Sequence, residues 1–280
     1  MQEILRTKLN LEAQSIRGLK SNTATAELKI VAEGDSWFAY PLVLDVIDQL
    51  RRMGYFIHRD SVPGDTLENM VYGSEYKLIK RLKGVINHGP RDLQETMTSI
   101  RKYKPRIVLF SGGGNDIVGK DIAQYLFHKT LTNNVFRKDL FHENIEKFMK
   151  PAIQRFCDFV WQIDDSIDIL MDGYDYPVPN GKSYFGVSGP WLLPTFGAKA
   201  ITERKEQEEI LKQLIDGFNE AQIELENLNP NFHHVDLRGM FPEDKEWHNE
   251  IHLKAKGYKK VARKYHEKIS AVLGSDPLKK

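Results

Sequence analysis

The sequence predicts an α/β protein, a three-layer α/β/α sandwich on a mainly parallel five-stranded sheet. Three observations predict it. Five short apolar runs alternate in order with longer segments of helical periodicity. Polar, glycine-bearing turns stand directly after several of the runs, where an open parallel sheet presents its ligand-binding edge. A chain of 280 residues is long enough to cover such a sheet on both faces as one unit.

The first 25 residues read as an amphipathic helix followed by a polar linker, Ser21–Thr25, and residues 26–280 as the main domain. The strand candidates are Leu28–Ala32, Tyr55–His58, Ile107–Ser111, Ile167–Met171 and His234–Leu237. Leu42–Met53 carries apolar residues at helical spacing and is stopped by Gly54. Tyr76–Asn87, Arg91–Tyr103, Asn144–Ile163, Glu203–Asn227 and Ala255–Val272 have the same periodicity. Gly173–Thr202 breaks the rhythm: it is rich in Gly, Pro and aromatic residues, including Phe185, and has no period. An aperiodic insertion of this length after a core strand reads as a lid-like functional segment, with Trp37, Tyr174, Tyr176 and Trp191 as candidate substrate-binding aromatics.

Composition removes several classes of function. A net charge of +1 gives nucleic acid no electrostatic footprint. A single cysteine, Cys157, excludes an internal disulfide framework and fits a reducing compartment. The first residues are charged throughout and lack the apolar stretch of a signal peptide, and no run is long enough to span a membrane. These features point to a cytoplasmic protein. The lysines and arginine of the last helix (Lys254, Lys259, Lys260, Arg263, Lys264) read as a solvated face.

Four strand-end segments carry the chemistry. Glu33-Gly34-Asp35-Ser36-Trp37 places a serine on a strand-to-helix turn, whose backbone N–H groups are suited to an oxyanion. Asp35 and a second carboxylate, Asp116, read as turn organisers. Ser61-Val62-Pro63-Gly64 brings a glycine N–H to the edge, and Ser111-Gly112-Gly113-Gly114-Asn115 brings an amide. No Gly-Lys-Ser/Thr follows the glycines, so a nucleotide loop is disfavoured, and no Gly-x-Ser-x-Gly elbow occurs. Trp247-His248-Asn249-Glu250-Ile251-His252 puts a histidine, the residue suited to take a hydroxyl proton near neutrality, just before the last helix.

Together these segments resemble the conserved blocks of the SGNH (GDSL-like) hydrolases, over Ile30 to Tyr258. Ser36 matches the nucleophile of the first block, Gly64 the glycine of the second, Asn115 the asparagine of the third and His252 the histidine of the last. The resemblance implies a flavodoxin-like SGNH fold and a carboxylic ester hydrolase working through an acyl-enzyme. It implies an oxyanion hole made by the N–H groups of Ser36 and Gly64 and the Asn115 amide, and a reaction that needs no cofactor and no metal. The substrate is then a small-molecule, lipid or carbohydrate ester. The same site serves acyl transfer, carbohydrate deacetylation or, without turnover, binding. Two positions depart from the pattern. Trp37 stands where the motif has leucine. Asn249 stands where the family has the third triad member, an aspartate; an amide oxygen still accepts the imidazole N–H but brings no charge. Glu250 and Asp236 are the alternative partners. His248 and His252 also have the spacing of a zinc pair, but not in the His-Glu-x-x-His order.

Overall fold

The computed structural model describes residues 1–20, 28–41, 43–73, 91–118, 120–184, 186 and 188–279. Five strands form one parallel sheet: β1 (Lys29–Gly34), β2 (Phe56–Arg59), β3 (Ile107–Ser111), β4 (Asp168–Asp172) and β5 (Phe232–Val235), in the order β2-β1-β3-β4-β5. Ile30, Val31, Ala32, Val108, Leu109 and Leu170 are fully buried. Continuous apolar runs of this kind are what a parallel sheet covered on both faces requires. Helices Gln2–Lys20, Val46–Met53 and Ala255–Leu273 pack together, as do Leu67–Tyr72, Arg91–Tyr103, Lys150–Trp161 and Arg204–Leu228. The α/β/α sandwich predicted from the sequence is the architecture found.

The strand order reverses between β1 and β3, and the crevice at such a switch point is where open α/β sheets place their ligands. β2 is an edge. Helix Gln2–Lys20 covers it, with Ser15 Oγ accepting from the edge N–H of Ile57 at 3.5 Å. The same helix sends Lys8 Nζ to the buried Asp45 carboxylate at 2.6 Å.

Several boundaries differ from the sequence reading. The helix expected over Leu42–Met53 begins at Val46, because Asp45 and Asp48 form a reciprocal capping box there; Leu42 lies outside the described residues. Tyr76–Asn87, the linker Ser21–Thr25 and Phe185 also lie outside them. The helix expected from Asn144 starts earlier, at Lys138, and runs through a wider π turn over Ile145–Met149 to Trp161. β5 lies two positions earlier than expected: its pairing with β4 runs from Ile169 opposite Phe232 to Asp172 opposite Val235, so Asp236 and Leu237 fall beyond it. The insertion after β4 is not wholly irregular, since Leu193–Ala198 is helical.

Candidate active site

β1 ends at Gly34, and the ladder continues one step further through Asp35 N–H to Ser111 O at 2.9 Å. That bond fixes the turn carrying Ser36. Asp35 Oδ1 accepts from Trp37 N at 2.9 Å and its Oδ2 from the Tyr174 hydroxyl at 2.7 Å, so the carboxylate faces inward while Ser36 faces the crevice. Asp116 Oδ2 accepts from Leu67 N at 2.8 Å, tying the loop after β3 to the helix after β2. Both aspartates therefore organise turns, as expected.

His252 arrives from the far end of the chain. An isolated bridge between Trp247 and Leu253 closes a tight loop, and His248 N–H donates to His252 O at 2.7 Å across it. Trp247 anchors the loop in the core through its indole N–H to Phe241 O at 3.0 Å. The Trp37 indole N–H donates to Ile251 O at 3.1 Å. The tryptophan next to the serine thus holds the loop that carries the histidine.

The resulting contact is direct: Ser36 Oγ lies 2.7 Å from His252 Nε2. Behind the ring, His252 Nδ1 lies 3.0 Å from Asn249 Oδ1. The same oxygen accepts from the backbone N–H groups of Ile251 at 3.1 Å and His252 at 2.9 Å. Backbone N–H groups only donate, so the oxygen end of the amide is the end facing the ring. Nδ1 therefore carries the imidazole proton, and Nε2 presents its lone pair to the Ser36 hydroxyl. Burial and the nearby His248 lower the His252 pKa from its ordinary 6.5 to about 3, so the ring is neutral at pH 7.

Asn115 lines the same cavity as Ser36 and His252. One N–H of its amide donates to Asp65 O at 2.7 Å, which leaves the second for a ligand. Gly113, before it, has φ 103°, and a side chain there would also run into Phe218. Gly64 stands in the loop after β2. It is exposed, its φ of 76° marks a turn that favours glycine, and it is not among the cavity-lining residues. Its loop reaches the site through Asp65 and Asn115. Among the described residues, neither the Ser36 nor the Gly64 N–H donates to a protein acceptor.

The aromatic candidates divide. Trp37 and Tyr174 wall the cavity. Trp191 lies with its ring centroid 5.7 Å from that of His252. Tyr176 is not part of the wall: its hydroxyl donates to Asp216 Oδ1 at 2.8 Å and Lys212 sits over its ring. The alternative partners of His252 are engaged elsewhere. Glu250 accepts through Oε1 from Gly181 N at 3.2 Å and Leu193 N at 2.9 Å, and through Oε2 from Leu192 N at 2.7 Å and from Trp191 N. Asp236 binds Arg238 in a 2.7 Å ion pair. His248 and His252 sit on a loop, with His248 Nδ1 2.9 Å from the Tyr40 hydroxyl, and both ring nitrogens of His252 are engaged.

Tyr40 was not legible in the sequence. Its ring stacks on the imidazole of His252, centroids 4.2 Å apart and planes 18° apart, and its hydroxyl accepts from Asn249 Nδ2 at 3.1 Å. No local pattern marks a tyrosine in the turn after Ser36 as the neighbour of a histidine so distant in sequence.

No family model matches the sequence, and no curated protein matches it as a relative. Solved structures do match. A lipase from a goat rumen metagenome superposes with a TM-score of 0.54 at 15% identity, covering 86% of this chain and 96% of that one. An extracellular lipase from Streptomyces rimosus gives a TM-score of 0.51 at 13% identity, covering 84% of this chain and 98% of that one. The chain shares the three-layer α/β/α fold of these two lipases. In this fold, Ser36 follows β1 and Asn115 follows β3, on either side of the switch point, while His252 closes the crevice from the loop before the last helix.

Proposed function

We propose that the chain is a serine carboxylic ester hydrolase acting on esters of short acyl groups. The observation that carries the reading is the Ser36 Oγ to His252 Nε2 contact at 2.7 Å, with the lone pair of Nε2 directed by Asn249. Ser36 Oγ attacks the ester carbonyl carbon while Nε2 takes the hydroxyl proton. The carbonyl oxygen becomes an oxyanion, which the Ser36 N–H and the free N–H of the Asn115 amide stabilise, each donor contributing roughly 3–4 kcal/mol in comparable sites. The Nε2 proton passes to the leaving alcohol oxygen as the C–O bond breaks. Water then attacks the acyl-enzyme, giving its proton to Nε2, and collapse returns that proton to Ser36 Oγ with release of the acid. No step calls on a cofactor.

The acyl length follows from room. The cavity beside Ser36 holds about 20 Å³ of solvent-sized space, bounded by Trp37, Tyr174, Pro177 and Ile215. That is room for roughly one or two water-sized groups, the size of an acetyl or propionyl arm. A series of p-nitrophenyl esters tests this. Acetate and propionate should turn over fastest, with kcat/KM falling at least about tenfold by octanoate, since each excluded methylene forfeits ~1–3 kcal/mol of pocket binding. A preference for octanoate would place the acyl arm outside this cavity.

A further inference from the structure

A serine–histidine pair needs stabilisation for the imidazolium formed as the hydroxyl loses its proton. In a Ser-His-Asp triad a buried carboxylate provides it. Here the partner of Nδ1 is a neutral amide. The nearby carboxylates point elsewhere: Glu250 to the backbone of the insertion, Asp35 to Trp37 N and Tyr174. Among the described residues, the titratable groups around the loop are His248, with Lys254 and Lys182 acting on it in turn, and the hydroxyls of Tyr40, Tyr184 and Tyr258. None of these supplies a negative charge at neutral pH. What covers the imidazole is the face of Tyr40, parallel to it at 4.2 Å and buried from solvent.

We propose that Tyr40 is a positioning residue standing in for the missing triad carboxylate. Its ring face stabilises the His252 imidazolium, and its hydroxyl holds the Asn249 amide. The inference rests on the serine hydrolase reading above. An aromatic face carries the negative part of the ring quadrupole, so a cation stacked on it is attracted, and more strongly when water is excluded. The attraction to neutral imidazole is much weaker. It therefore grows as the proton moves from Ser36 to Nε2, the condition for accelerating the step rather than tightening binding. The hydroxyl has a separate task. It accepts from Asn249 Nδ2, while the backbone N–H groups of Ile251 and His252 donate to Oδ1, so the amide is held at both ends; the hydroxyl's own proton is left for His248 Nδ1.

Steady-state kinetics on p-nitrophenyl acetate test the idea, using ring variants in two backgrounds. Tyr40→Leu should lower kcat by about 3- to 30-fold, the range of a cation–π contact from exposed to desolvated, with KM within about twofold. Asn249→Asp should recover most of that loss, since a carboxylate supplies the charge the ring no longer does. Because Tyr40→Leu also removes packing, a second comparison keeps the shape: fluorinating the ring in the Tyr40→Phe protein should lower kcat progressively at constant KM. A kcat that ignores both ring removal and fluorination overturns the proposal, as does a Tyr40→Leu loss of equal size in the Asn249 and Asn249→Asp proteins. Ser36→Ala is run alongside. If it stays active, the hydrolase reading falls and this inference with it. If it is dead while Tyr40 is indifferent, only this inference falls.

Discussion

Asn249 is the residue at which this site departs most from a charged triad, and its consequence is a matter of pH. A carboxylate beside an imidazole favours the protonated ring, whereas an amide does not. Burial has already pushed the His252 pKa down to about 3, so the imidazole stays neutral well below the ordinary histidine range. The acid limb of kcat/KM should accordingly lie low. Asn249→Asp should raise it by about one unit, the lower end of opposite-charge shifts; Asn249→Ala should slow the reaction without raising it. A pH–rate profile of the three proteins checks this, and an unmoved limb in Asn249→Asp would remove Asn249 as the partner. Asn115→Ala should lower kcat by about 10²–10³ with little change in KM, as loss of an oxyanion donor does; an unchanged kcat would take it out of the site. That Ser36, Asn115 and His252 share one cavity could be read in advance, because each lies in a short motif at a strand end or helix start. Gly64 was legible as a turn, and its φ of 76° bears that out. Tyr40 and Trp37 act on the histidine loop through contacts between opposite ends of the chain, which no local pattern encodes.

Among the elements, the insertion after β4 is the least regular and the most closely tied to the site. Glu250, fully buried two residues before His252, receives four backbone N–H groups from it, at Gly181, Trp191, Leu192 and Leu193. The loop that carries His252 and the insertion are thereby tied together. Glu250→Gln replaces an accepting oxygen with a donor facing N–H groups, leaving buried donors unmatched. It should cost roughly 1–3 kcal/mol per unsatisfied group and change the ester preference along with stability. Denaturant titration and the p-nitrophenyl ester series measure both, and an unaltered ester profile would separate the insertion from substrate choice. The sequence marked this segment as unusual through its missing period and marked Glu250 only as a possible partner of His252. The carboxylate's real partners are backbone groups, which composition does not reveal. Strand positions were readable to within two residues, the largest error being β5, where the polar Asn-Pro-Asn approach and His233 masked a strand whose register is set by β4.

Across the molecule, the alternation of apolar runs and helical periods determined the layers, and the parallel order placed the crevice between β1 and β3. The sequence does not show the buried acids behind it. Burial raises Asp35 from 3.8 to about 8 and Asp172 from 3.8 to about 6. A carboxyl with a raised folded pKa contributes stability that is present below its unfolded pKa and lost as pH rises through the folded one. The buried imidazoles of His234 and His252 have the opposite slope, which ends near their unfolded value of 6.5. Asp45, raised to about 7, shares the decline up to that pH; between pH 7 and 8 the Asp35 slope remains, and stability should fall by up to ~1.4 kcal/mol per pH unit. Asp35→Asn, which mimics the protonated acid, should flatten this decline; an equally steep fall in melting temperature would assign it to other groups. At the centre of the molecule stands the proposed activation of Ser36 by His252, whose contact is 2.7 Å. The most direct test is stoichiometric labelling with a fluorophosphonate followed by peptide mapping. The account predicts a single adduct on Ser36, absent in Ser36→Ala and slowed in His252→Ala. An adduct on another residue, or labelling that persists in Ser36→Ala, would contradict it.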